Sequence, residues 1–216
     1  INTLLAGAAG GVVAMFYMWW FGPSKKPDPG LSVNGVLAGL VAITAPCAFV
    51  DVWAAVVIGA IAGVLVCWAT FALEKMKIDD PVGAVPVHFC NGLWGVIAVG
   101  LFANGNPDTA LWNGVPSAVT GLFYGGGVGQ LAAQGLEVVT VAVVVTGLSL
   151  IFFRIVHSLG YLRSDPQHEL MGLDIPEMGI PGYTNDDMLM HGISGRRLAQ
   201  PMPSARPTAA TAAIGK

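Results

Sequence analysis

Five long apolar runs decide what this chain can become. They cover residues 1–21, 31–50, 52–73, 82–102 and about 128–156. A helix needs roughly 20 apolar residues to cross the hydrocarbon of a bilayer, and there every backbone N–H and C=O must be paired inside the segment. The runs therefore predict an all-α polytopic membrane protein with five transmembrane helices. Charge content agrees: Asp, Glu, Lys and Arg make up 11% of the chain, against about a quarter in a soluble domain. Residues 1–163 read as the transmembrane domain, 164–185 as a cytoplasmic tail segment, and 186–216 as a flexible C-terminal tail of low hydrophobicity. The second run is interrupted near its end by Pro46, and a polar, Gly-rich loop separates the fourth run from the fifth.

The placement of charge gives an orientation. Lys25 and Lys26 follow the first run, Lys75 and Lys77 the third, and Arg154, Arg163, Arg196, Arg197, Arg206 and Lys216 close or follow the fifth; together these are all ten Lys and Arg. With five spans, all ten fall on one side, which the positive-inside rule makes cytoplasmic. The N-terminus is then outside and the tail inside, in the plasma or inner membrane of the cell. Four or six spans would scatter the same charges over both sides. Trp19, Trp20 and Trp53 fall at predicted span ends, where indole rings prefer the interface. Small residues four apart recur as Gly7 and Gly11, Gly35 and Gly39, and Gly59 and Gly63, a spacing that lets helix backbones approach closely. The chain opens at Ile1 directly on an apolar run, with no basic region or cleavage site ahead of it. That reads as neither a signal peptide nor a natural start, and predicts the later part of something longer.

Within the runs, His88 is the costly residue. A titratable ring at membrane depth marks an ion or proton path, or is a histidine bonded to a neighbouring helix. Pro86 removes a backbone donor one turn below it and is expected to bend the helix. Asn91, three residues on, is expected on the same face, lining the same cavity or, as the favoured reading, bridging helices. Asp80 and Pro81 read as the N-cap and first residue of the fourth helix. Thr44 precedes Pro46 and offers a hydroxyl where the second helix breaks; it lines a path, or bonds its own helix as threonine commonly does. Glu137 either pairs with another helix or reaches the outer interface. His157, His168 and His191 fall at or beyond the cytoplasmic boundary. Cys47, Cys67 and Cys90 read as small core residues; Cys90 and His88, two apart on a helix, face opposite ways and make no chelate. The sequence has no zinc-ligand spacing, phosphate loop or nucleophile elbow. No metal, cofactor, nucleic-acid partner or enzymatic activity is expected, so no residue is assigned a catalytic role.

Several segments together resemble the ammonium transporter family, its Amt branch in particular: INTLLAG from Ile1, GLVAITAPCAFVDVWAA from Gly39, IDDPVGAVPVHFCNGLWGVIAVGLF from Ile78 to Phe102, and GLDIPE from Gly172. The match runs in order from Ile1 to about Tyr183. The resemblance implies an eleven-helix fold of two inverted five-helix repeats, of which this chain is spans seven to eleven, with the N-terminal half on the same or another chain. It also implies a homotrimer with one pore per subunit, surrounded by lipid. Each pore carries ammonium or ammonia into the cell for nitrogen uptake. His88 matches the second of the family's two touching pore histidines, and Thr44 a threonine near them. A neutral imidazole offers one donor and one acceptor, which suits ammonium and ammonia better than a bare alkali ion. Gly172, Leu173, Asp174 and Glu177 match a regulatory tail motif through which PII-type signalling proteins close the pore, although Met178 stands where the family commonly has histidine. Two other readings are compatible with the resemblance: an ammonium-sensing receptor without net transport, and a half-transporter that serves as an assembly subunit.

Overall fold

The computed structural model describes residues 1–108, 114, 118–180 and 182. The expected flexible tail at 186–216 and His191 lie outside these residues. Among the described residues, six α-helices form: α1 (Asn2–Phe21), α2 (Pro29–Thr44), α3 (Val52–Lys75), α4 (Asn91–Phe102), α5 (Gly129–Ser158) and α6 (Pro166–Met171). A π-helical segment, Val85–Cys90, leads directly into α4. Among the described residues, four stretches are long and apolar enough to cross a bilayer: α1, α3, Val85–Phe102 and α5. The second apolar run is shorter as a helix than as a sequence. α2 spans 16 residues, about 24 Å at 1.5 Å per residue. It stops at Thr44 because Pro46 has no N–H with which to continue the ladder, and the chain turns instead, with the Phe49 amide donating to the Pro46 carbonyl at 2.8 Å.

Contacts divide the chain into two units, Ile1–Leu150 and Ile151–Lys216. In the first, α1 packs against both α2 and α3, and the glycines set how closely. A Cβ on Gly39 or Gly59 would strike the backbone of Ala6, and one on Gly63 would strike the Gly10 carbonyl. Gly10 in turn lies against Gly35 and Gly39. The core is built from this contact: Ala6, Ala14, Ala38, Ala42, Ile58, Ala62 and Val66 are fully buried. Small side chains dominate because lipid is as apolar as leucine. Helices in a membrane gain from close packing and not from hiding greasy surface. α4 joins the bundle through Gly95, which lies on the Ala42 backbone, and through the Trp94 indole, which donates to the Ile58 carbonyl at 3.1 Å.

Polar groups tie the connections at one end of this bundle. Asn2 Nδ2 donates to the carbonyls of Cys47 and Val50 at 2.9 and 3.0 Å, pairing groups in the turn after α2. Asp51, at the start of α3, accepts from the Tyr124 hydroxyl and from Asn104 Nδ2 at 2.5 and 2.9 Å. The Asn104 amide donates to the Phe49 carbonyl at 2.7 Å. These bonds fasten the chain on either side of the loop after α4. The Tyr124 hydroxyl, followed by Asn104, holds the Asp51 carboxyl below its ordinary range; the same bond raises Tyr124.

The second unit contains the end of α5, then α6 and a π-helical turn, Asp174–Met178. Asp165 caps α6 through the Gln167 amide, with Pro166 in its first turn. Arg163 grips Glu169 with two bonds to one oxygen and one to the other. Ser164 donates to Glu177, and the Gly182 amide donates to Asp174 at 2.7 Å, holding the Asp174 carboxyl below its usual range.

Candidate functional site

The fourth apolar run begins later than its acidic start suggests. Residues 81–83 form a turn, with Gly83 at φ 73°, so Pro81 is not the first helical residue. Asp80 instead reaches across this turn: its two carboxylate oxygens accept from the Ala84 and Val85 amides at 2.9 and 2.8 Å. Pro86 then falls in the first turn, where a missing N–H costs no hydrogen bond. It opens the helical segment and does not bend a helix already under way.

From Val85 to Cys90 the backbone is π-helical. A π turn closes i to i+5 hydrogen bonds, carries more residues per turn than an α-helix, and is frequent at functional sites. The change of pitch separates two residues expected to share a face. His88 is exposed, while Asn91 is fully buried. Asn91 turns inward and donates from Nδ2 to the Pro86 carbonyl at 2.8 Å; its Oδ1 has no partner among the described residues. The asparagine therefore braces the π segment from behind, while the histidine is presented in front.

The His88 side chain makes no hydrogen bond to another described residue. It lines a cleft of about 300 Å³ between the π segment with α4 and the facing side of α5. The other lining groups are apolar save Glu137 and Thr146 of α5. Thr44 is exposed at the end of α2 and donates to its own helix at the Leu40 carbonyl, 2.8 Å away. It does not line this cleft, so the structure does not bring Thr44 and His88 into one cavity.

Glu137 is the residue to which the apolar runs assign no role. The signal available in the sequence is its standing as the lone carboxylate in the α5 run. In the structure it faces the same cleft as His88. Of the tail residues, Gly172 takes φ 99°, a conformation that suits glycine. Leu173 caps the π turn that contains Asp174 and Glu177. Tyr183, the end of the matched segment, lies outside the described residues.

Residues 1–183 match the Ammonium Transporter Family. The ammonium transporter Amt2 of Archaeoglobus fulgidus is 43% identical over 184 residues, which are 85% of this chain and 38% of that protein. Ammonium transporter 1 member 1 of Solanum lycopersicum is 34% identical over 165 residues, 76% of this chain and 34% of that one. Among solved structures, a Sensor Amt Protein superimposes with a TM-score of 0.67 at 34% identity, covering 82% of this chain and 40% of its own. Mep2 of Candida albicans does so with a TM-score of 0.65 at 27% identity, covering 77% and 36%. The chain thus spans about two fifths of the length of these relatives, and its helices form a corresponding part of their fold.

Proposed function

This chain belongs to the ammonium transporter family, and from that premise we propose that it supplies the His88 side of an ammonium-conducting pore. One observation carries the reading. The one histidine at membrane depth is turned out into a cleft by a π-helical segment, with its ring free of protein partners among the described residues. A structural histidine would be expected to engage its ring nitrogens on a neighbouring helix, because unpaired polar groups are costly in hydrocarbon. A ring facing an open cleft keeps one donor and one acceptor for a passing molecule. Ammonia can use both, and ammonium can donate a directional hydrogen bond to the acceptor; a potassium ion makes no hydrogen bond.

In this reading the rest of the pore wall, including a second histidine and the other half of the inverted repeat, comes from spans one to six on the same or another chain. Thr44 contributes to the path above or below the cleft, Pro86 and Asn91 support the π segment, and Asp80 fixes its start. The assembly is a homotrimer in the cell membrane, with the N-terminus outside. The tail from Gly172 to Glu177 is a regulatory element open to a PII-type protein. The side bearing all ten basic residues supports that orientation.

The test is ammonium-evoked current from the complete transporter in liposomes on a supported membrane. His88→Ala is expected to abolish or sharply alter selective conduction. Unchanged selectivity for ammonium over potassium in that variant would remove His88 from the path. A second reading is favoured by the likeness to a Sensor Amt Protein: binding of ammonium without net transport, reported through the tail. Saturable ammonium binding with no current would establish it over transport.

A further inference from the structure

The direction of His88 is set by a shift of register that can be followed along the helix. The buried stripe of α4 runs through Asn91, Gly95, Ala98 and Phe102, at a spacing that holds one face of an α-helix. Carried back at the same spacing, the stripe reaches His88 and Ala84. Both are exposed. Pro86 and Val87 are buried in their stead. The inward face therefore moves by one position on entering the π segment. That step takes the His88 ring out of the stripe and into the cleft. An α-helix over the same residues would turn the ring toward α2 and α3, against which the segment packs.

One side chain holds this register, and it does so at a cost. Asn91 Nδ2 donates to the Pro86 carbonyl at 2.8 Å, five positions back, the same interval that a π-helical backbone bond closes. Its Oδ1 is left enclosed, with no partner among the described residues. Asn91 is 0% exposed within this chain, so a helix packed on the outside of the bundle cannot reach that oxygen. Turning the amide over gives no relief, because it sets Oδ1 against the Pro86 carbonyl and strands Nδ2 instead. Leucine fills nearly the same space and has no polar atom to leave unpaired, so packing alone does not favour asparagine here. What the amide adds is the bond across the register shift. Resting on the reading of His88 as a pore residue, we infer that Asn91 is a positioning residue for that path: it pins the π register, and so aims the His88 ring at the passing molecule, while lowering stability. Asn91 does not line the cleft. It acts through the backbone between Pro86 and His88.

The experiment compares the complete transporter, wild type and Asn91→Leu, by electron cryomicroscopy, ammonium-evoked current and unfolding midpoint. In wild type the His88 ring is expected outside the buried stripe, with Asn91 Nδ2 on the Pro86 carbonyl. In Asn91→Leu the segment is expected to close as an α-helix, with His88 drawn into the stripe. Current at saturating ammonium is expected to fall about tenfold or more, the scale of a displaced site group. The unfolding midpoint is expected to stay at or above the wild-type value, because no polar atom is left unpaired. A ring still turned out in folded Asn91→Leu overturns the inference. So does wild-type current in Asn91→Leu where His88→Ala has lost it. A ring turned in, with wild-type current in both variants, removes His88 from the path and leaves the register role of Asn91 standing. If Asn91→Leu does not fold, the wild-type map decides: an α-helical Val85–Cys90, or a ring inside the stripe, overturns the inference.

Discussion

At the scale of single residues, the site depends on two neighbours doing opposite things. His88 is turned out to the cleft, and Asn91, three residues later, is buried against the Pro86 carbonyl. The sequence made the histidine conspicuous, since an ionisable ring in an apolar run has few reasons to be there. It could not show that the backbone between the two residues is π-helical, and so placed them on one face. Asn91→Ala removes the bond that braces the π segment. It is expected to cost about 1 kcal/mol, read as a lower unfolding midpoint in detergent. An unchanged midpoint would mean that the Pro86 carbonyl does not need the asparagine. Glu137 escaped assignment for a related reason: a carboxylate near a helix end can reach the interface, and only the cleft that it lines with His88 shows which way it faces.

At the scale of elements, the start of the fourth span and the packing of the first three obey different rules. Asp80 holds two amides across a turn that the sequence reads as helix. Asp80→Ala is expected to destabilise by about 1 kcal/mol, the usual worth of such a cap, with faster amide exchange at Ala84 and Val85. Exchange at wild-type rates would show the cap to be idle. The glycine pairs were legible as close-approach sites, because nothing else explains small residues four apart in three successive runs. Which backbone each one touches was not legible. Gly39→Leu and Gly59→Leu, each driven into Ala6, are expected to cost about 1–3 kcal/mol or more through overpacking. Gly135→Leu, with open space around its Cβ, is the comparison. Equal losses at all three positions would argue against backbone contact as the cause.

At the scale of the whole molecule, the first unit is closed at one end by Asp51, Tyr124 and Asn104, drawn from segments far apart in the chain. The sign of its pH dependence comes from the two shifts. Asp51 titrates below its unfolded value, so its contribution is present above about pH 4 and is lost as pH falls through the lower folded value. Tyr124 titrates above its unfolded value, so its contribution is present below about pH 10 and is lost as pH rises through the higher folded value. Between those limits the latch is intact. Tyr124→Phe removes the largest cause of the Asp51 shift. The stability advantage of wild type over this variant is expected to be constant near neutrality and to shrink as pH falls through the carboxylate range. An advantage that stays the same across the acid range would show that the bond does not depend on the charge. The sequence by itself determined an all-helical membrane chain, where its apolar runs lie and which residues cost most to bury. It could do so because apolar length and charge placement are properties of a segment and the solvent around it. The tertiary structure alone decided that the histidine sits on a π segment, and that Glu137 shares its cleft. Those depend on which hydrogen bonds close and which faces meet, and neither is written in a segment taken alone.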